Sequence, residues 1–391
     1  MLKGNNIIIF SSADWKIGPT SPQHIATNFE KTNKVLFIET FSSHWPFLES
    51  EHLKRIMYRI LHWFQGIEKK EVENKHVYVY SPIIPMINNR FFLPLNRLIY
   101  TVILRRLIKK LDMGNPILYF YLPPPLGVLG KLKEKAVIYH SVDEWLTFPA
   151  GKNKFFMESE RNLIEKADLV LAANDTLYES KKKLARRIYK IYHGVDYNHF
   201  TKKFTNDIPL PEDIRNIPKP IIAIIGNFAY WMDLELIKLI VRSHREWSVV
   251  SIGPVDSDAN IKIFADMDNI YFLGQRSYYD LPNYYRAIDV FIIPFLLTDH
   301  IKTCAPTRLY EHLSSGKPIV TVDFPAVHEV GEGLLYIAHN REDFLKKIEL
   351  ALNEKDPSLA ERRRTLAMKN TWESRIEKIS NIIEEIISND I

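Results

Sequence analysis

The sequence predicts an α/β protein of two doubly wound domains facing a central cleft, and three observations predict it. The chain has 391 residues, more than one hydrophobic core usually serves, so two domains of roughly 150–200 residues are expected. Short apolar runs alternate with helical patterns along its length, the order that builds parallel sheets with helices on both faces. That alternation breaks over residues 201–220, where Pro209, Pro211, Pro218 and Pro220 stand among polar residues as a linker.

In the first half the strand candidates are Asn6–Phe10, Lys34–Glu39, His76–Tyr80, Ile117–Tyr121, Ala136–His140, Asp168–Ala173 and Arg187–Tyr192. Most are continuous apolar runs, as strands buried on both faces must be. Ser21–Pro22 reads as a helix start, with Ser as N-cap and Pro in the first turn. Phe155–Lys166 and Thr176–Arg187 read as helices. Glu51–Phe64 and Asn96–Leu111 are basic helices with apolar faces.

After the linker, strands are expected at Ile221–Ile225, Ser248–Ile252, Asn269–Leu273, Val290–Ile293 and Pro318–Val322. Helices are expected at Leu234–Arg245 and Arg308–Ser314, and near 342–353, 357–369 and 372–388. The domains are therefore expected to be residues 1–205 and 218–370, with a terminal helix over 371–391.

Composition narrows the class. At 46% hydrophobic and 25% charged residues, the chain is neither disordered nor collagen-like. Its most apolar stretch, Phe91 to Leu111, carries Arg97, Arg105, Arg106, Lys109 and Lys110, too many charges for a membrane span. Ile7–Phe10 is too short for a signal h-region. With Cys304 the single cysteine, no internal disulfide can form, and a cytoplasmic location is expected.

Net charge is +5, but it is unevenly spread: residues 1–205 hold 31 Lys and Arg against 19 Asp and Glu, and the remainder 21 against 28. A basic front half suits an anionic partner such as a membrane surface, a phosphate or a nucleic acid. The plain alternative is a scatter of lysines that keeps the surface soluble.

Gly226–Asn227 follows a strand and precedes a helix, where backbone N–H groups can approach an anion. Neither a G-x-G-x-x-G nor a P-loop string occurs. Thr307, Arg308 and Glu311 occupy the first turns of a helix at the carboxyl side of a strand, where open α/β sheets bind ligands. Arg308 there suits a diphosphate, with its fixed fork of donors and the helix dipole both favouring negative charge. Glu311 can accept from ribose hydroxyls. An ordinary ion pair three residues apart is the competing reading.

The strings Asp256–Ser257–Asp258 and Asp266–Met267–Asp268 read as turn and cap chemistry, with Asp258 capping a helix that begins near Asn260. No histidine spacing suggests metal ligands, and no metal and no cofactor are expected. Asp143 and His140 follow a strand of the first domain; either can take or orient a proton, while the plain alternatives are that Asp143 caps a turn and His140 packs under the sheet.

Several segments, taken in order, resemble glycosyltransferases of the GT-B fold that build bacterial surface polysaccharides of the teichuronic-acid, capsule or exopolysaccharide type. Pro306–Glu311 with Ser315–Val320 is similar to their P-x-K-x-x-E-…-A-G-K-P-V-V stretch. Tyr139–Trp145 resembles Y-x-x-x-D-D/E-W, Ala167–Ala173 resembles A-D-L-V-x-x-x-S, and His193–Asp196 with Phe200 resembles N-G-V-D-x-x-x-F. Asn269–Gly274 and Trp372 with Arg375 match N-V-x-F-L-G and the terminal W-x-x-R. The departures are Thr303 where many members carry a first glutamate, Arg308 for lysine, His193 for asparagine, and no basic pair after Ile225.

The resemblance implies a metal-independent transfer of sugar from a nucleotide diphosphate sugar, first of all a UDP-sugar, to a hydroxyl of a lipid-linked or oligosaccharide acceptor. It implies a donor set of Gly226, Asn227, Arg276, Thr307, Arg308 and Glu311, catalysis by Asp143 or His140, and acceptor contacts from Asp14 and His24. It also implies a last helix that crosses back to the first domain. A lipid-linked acceptor and basic helices together suggest peripheral contact with an anionic membrane surface at the inner face of the plasma membrane. The rivals are a sugar-nucleotide epimerase of the same fold and a non-catalytic scaffold; nucleic-acid binding lacks any module.

Overall fold

The computed structural model describes residues 2–39, 66–72, 75–82, 93–123, 127–147, 154–201, 209–305, 307–330 and 333–389. The helix expected at Glu51–Phe64 and most of the linker lie outside them. The chain divides into two compact units, Met1–Tyr192 with Trp372–Ile391, and His193–Thr371. The division falls ahead of residue 205, where the sequence alone ends the first domain.

The first unit holds strands β1 (Asn6–Phe10), β2 (Lys34–Ile38), β3 (Glu68–Val72), β4 (Lys75–Tyr80), β5 (Ile117–Phe120), β6 (Ala136–Ser141), β7 (Leu169–Ala172) and β8 (Ile188–Lys190). They form one sheet in the order β3-β4-β2-β1-β5-β6-β7-β8. β3 pairs antiparallel with β4 and the other pairings are parallel. The charged β3 was not foreseen; at the sheet's edge, charge is what keeps a strand from pairing further. The central strands are buried on both faces, as Ile7, Ile8 and Ile9 of β1 show.

Two helix expectations needed correction. Thr20, not Ser21, takes the N-cap of the helix Ser21–Glu30, and Gln23 accepts from the Thr20 backbone N–H at 3.2 Å, as a capping box requires. The helix expected to reach Arg187 stops at Lys181; it begins at Asp175, where the Asn174 side chain accepts from Leu177 N–H at 2.8 Å. The last helix, Trp372–Asn389, belongs to the first unit, where Trp372 stacks on His24 with ring centroids 5.0 Å apart.

The second unit holds β9 (Ile221–Ile225), β10 (Ser248–Ile252), β11 (Ile270–Gly274), β12 (Val290–Ile293), β13 (Ile319–Val322) and β14 (Tyr336–Ala338). Their order is β11-β10-β9-β12-β13-β14, all parallel. Side chains alternate between two cores: Ile222, Ile224 and Ile292 face one, Ala223, Ile225 and Ile293 the other. That is why these runs are apolar without alternation.

In each sheet the chain builds outward from a founding strand and then crosses to its other side. The crossing falls between β1 and β5 in the first sheet and between β9 and β12 in the second. The carboxyl ends of those strands are where a doubly wound sheet opens a ligand crevice.

Candidate functional site

At the carboxyl end of β9, Gly226 has φ +128°, and a Cβ on Gly253 at the end of β10 would lie 1.8 Å from the Gly226 carbonyl oxygen. Only glycine allows the two strand ends to approach this closely. Asn227 then donates through Nδ2 to Asp256 Oδ2 at 2.7 Å. Asp256 is thus held by the β9 loop. Asp258 makes no cap, because the short 3-10 helix Ile261–Phe264 follows Asn260 without a side-chain cap. Among the described residues, no three His, Cys, Asp or Glu side chains group to hold a metal ion.

After β12 the chain forms the helix Arg308–Ser315, with Thr307 ahead of it and capping nothing through its side chain. Arg308 Nη1 donates to Glu311 Oε2 at 2.7 Å; the Arg308 side chain is one-third exposed and that of Glu311 is 9% exposed. The pair is therefore not the ordinary surface contact. Burial raises the Glu311 pKa, with the Arg308 charge opposing it. Burial alone would lower Arg308, but Glu311, Tyr285 and Tyr278 raise it, so it stays charged. A cation at the start of this helix, with part of its fork open to solvent, is equipped to meet an anion.

The structure brings further residues to this pair. Asp196 accepts from His199 N–H at 2.9 Å and starts the helix Tyr197–Thr201. His199 stacks on Tyr278 at 4.6 Å and its Nε2 lies 3.0 Å from the Tyr278 carbonyl oxygen. His312 is buried against Phe291 and hydrogen-bonded to Tyr285, and burial together with the Arg308 charge pushes its pKa down to about 3. It is neutral throughout the useful pH range.

Arg276, like Arg308, is already ion-paired. Its guanidinium pairs with Asp213 and with the Tyr284 hydroxyl at 2.8 Å, so a diphosphate would have to break that pair. The Ser315–Pro318 string is structural. Gly316 ends its helix in the left-handed conformation, φ +78°, and Lys317 donates to the carbonyls of Tyr285 and Arg286 at 2.8 Å each. Burial pushes the Lys317 pKa down to about 8.

At the carboxyl edge of the first sheet, Asp143 follows β6 and is partly buried, and burial pushes its pKa up to about 6. Its neighbour Glu144 is held from behind by buried Lys181, at 3.0 Å, which also approaches Glu160 at 3.5 Å. Tyr139 donates to Glu160 at 2.6 Å. His140 is 1% exposed, bonded to Tyr119 at 2.8 Å and stacked on Tyr121, so it stands behind the edge rather than on it. Asp14 is buried, and His24 spends its ring on Trp372. Glu39, which the sequence did not single out, is buried at the end of β2, where it accepts from Trp15 N–H at 2.8 Å and from the Ser81 hydroxyl. It fixes the loop that carries Asp14.

An open depression of about 740 Å³ lies at the opposite end of this sheet, among Asn6, Lys34, His76 and Asp112. It opens at the amino ends of β1, β2 and β4, away from the edge where such sheets bind ligands.

Residues 219–354 match the family described as Glycosyl transferases group 1. The fold is GT-B, and the stretch matched by the family lies within the second unit. A Bacillus subtilis (strain 168) protein named as a teichuronic acid biosynthesis glycosyltransferase, TuaH, is 24% identical over 286 residues, covering 68% of this chain and 71% of that protein. Among solved structures, the E. coli trehalose-6-phosphate protein bound with UDP-2-fluoro glucose superposes with a TM-score of 0.69 at 12% identity, over 98% of this chain and 99% of that one. Anabaena Alr3699/HepE, in complex with UDP and glucose, gives 0.66 at 14%, over 98% and 100%.

The match spans the Gly226–Gly253 pinch and the Arg308–Glu311 pair alike. Within the matched stretch, Gly226, Asn227, Thr307, Arg308 and Glu311 all lie in segments that follow β9 and β12, on either side of the sheet's crossing point. Arg276 follows the edge strand β11.

Proposed function

We propose that the chain is a metal-independent glycosyltransferase that moves a sugar from a nucleotide diphosphate sugar, UDP-linked, to a hydroxyl of a lipid-linked glycan during surface polysaccharide synthesis at the cytoplasmic membrane face. One observation carries the reading: within a group 1 domain, a partly exposed Arg308 sits at a helix start on the carboxyl edge of the sheet, beside a buried carboxylate that can take ribose hydroxyls. TuaH, named for teichuronic acid synthesis, supports the acceptor class, and HepE, solved with UDP and glucose, supports the nucleotide.

In this reaction Arg308 and the helix N-terminus meet the diphosphate, which gathers charge as its bond to the anomeric carbon breaks. The electron pair of that bond stays on the phosphate oxygen. The acceptor oxygen forms the new bond to the anomeric carbon, and its proton passes to Asp143, ionised above about pH 6. Positive charge from Arg308 and the dipole takes the place a divalent metal fills elsewhere.

A thermal-shift panel of UDP, GDP, dTDP, CMP and their sugars, run with a chelator, tests the reading. UDP and one UDP-sugar should raise the melting temperature with no metal present. No shift with any nucleotide would favour a scaffold, and interconversion of free UDP-sugar without an acceptor would favour an epimerase.

A further inference from the structure

We propose that the helix Leu93–Lys110 is the surface on which the protein lies against an anionic lipid bilayer. This deepens the reading above by naming where a lipid-linked acceptor's membrane is met, and it rests on that reading only for its purpose. The helix buries Asn96, Tyr100, Leu104 and Leu107 in the first unit. On the other side Leu95, Leu98, Ile99 and Val102 are 52, 63, 48 and 36% exposed. Their spacing puts all four on one stripe at the helical period. Continued along the helix, that stripe reaches Arg105, Arg106, Lys109 and Lys110, all exposed.

One face of one helix is thus apolar for its first half and basic for its second, and the helix holds no Asp or Glu. Four exposed aliphatic side chains on one helical stripe form a patch rather than scattered exposure, and the basic continuation argues for an anionic, partly apolar surface as what covers it. Arg105 donates to the Lys131 carbonyl at 3.1 and 2.9 Å, which sets exposed Lys131 beside the basic end. Two acids lie near: Glu134 is occupied by the N–H groups of Gly130 and Leu132, and exposed Asp112 follows the helix, a single negative charge against four basic side chains. Among the described residues no helix is long and apolar enough to cross a membrane, so the geometry points to a helix lying in the interface, its aliphatic half in the acyl boundary and its basic half on anionic headgroups.

The test is sedimentation of the full chain with vesicles, either phosphatidylcholine alone or with one-third phosphatidylglycerol. The protein should pellet with the anionic vesicles in dilute buffer, release as salt rises, and ignore phosphatidylcholine. Arg106→Gln, Lys109→Gln and Lys110→Gln together should lower the partition constant about a hundredfold, each basic residue near the surface being worth roughly fivefold. Leu98→Glu with Ile99→Glu should abolish pelleting. Both variants change exposed side chains, and unchanged melting temperatures verify the fold. Wild type that ignores anionic vesicles, or variants that pellet like wild type, would overturn the proposal. So would a dimer that Leu98→Glu converts to monomer in sedimentation velocity without vesicle binding, since the face would then belong to a second copy. Nucleotide binding measured on the same preparations without lipid separates this proposal from the transferase reading.

Discussion

The carboxyl edges of the two sheets store charge in opposite ways. On the second sheet the arginines are already partnered: Arg308 with Glu311, Arg276 with Asp213, and Arg341 with Asp233. On the first, the Asp143 carboxylate has no hydrogen-bond partner among the described residues, and burial holds its pKa near 6. A paired cation keeps its shape before a ligand arrives and can exchange one carboxylate for another anion. A lone, partly desolvated carboxylate is costly to ionise and correspondingly ready to take a proton back. The first arrangement suits anion binding, the second proton transfer.

That contrast breaks most visibly at Asp143. Asp143→Asn should lower turnover about 10²–10⁴-fold with UDP affinity unchanged, read by single-turnover transfer and calorimetry. Because its folded pKa lies above the unfolded value, its contribution to stability is fully present below about pH 4 and is lost as pH rises to about 6. The variant should therefore melt no lower than wild type at pH 7, whereas a capping aspartate would cost stability. Wild-type turnover should rise with pH through about 6.

Next in size is Lys181, which faces Glu144 and Glu160 in a buried cluster. Lys181→Met leaves two carboxylates without their cation, and chemical denaturation should show a loss of about 3–5 kcal/mol. On the second sheet, Arg308→Ala should cost about 1.5–3 kcal/mol of UDP binding and far less of uridine binding, since only the diphosphate meets the guanidinium. Glu311→Gln should weaken UDP and uridine alike. The smallest effect belongs to Arg276→Ala. Its partly exposed pair with Asp213 is worth about 0–1 kcal/mol of stability, and UDP affinity should change less than threefold.

The legible parts of the fold were those whose signal is local. Continuous apolar runs such as Ile221–Ile225 and Val290–Ile293 can only be strands covered on both faces. β3 was not legible, because a strand at a sheet's edge needs no apolar face, and β14 has only three residues. At the candidate site, Arg308 and Glu311 were legible because three residues on a helix fix their contact. Gly253 was not, since the need for glycine there comes from Gly226 on the neighbouring strand. The same holds for Arg276, whose engagement depends on Asp213, and for Glu39, which Trp15 and Ser81 reach from separate strand ends. His140 drops behind the edge because Tyr119 and Tyr121 of the adjacent strand end enclose it.

Calorimetric titration of UDP into wild type and Arg308→Ala, side by side with a chelator present, tests the central claim most directly. Wild type should bind one UDP per chain, and the variant, still folded at the titration temperature but with a lowered melting point because buried Glu311 loses its cation, should bind about ten- to a hundredfold more weakly. Equal affinity in the two proteins, or no binding by wild type, would contradict the assignment of the nucleotide diphosphate to the carboxyl edge of the second sheet.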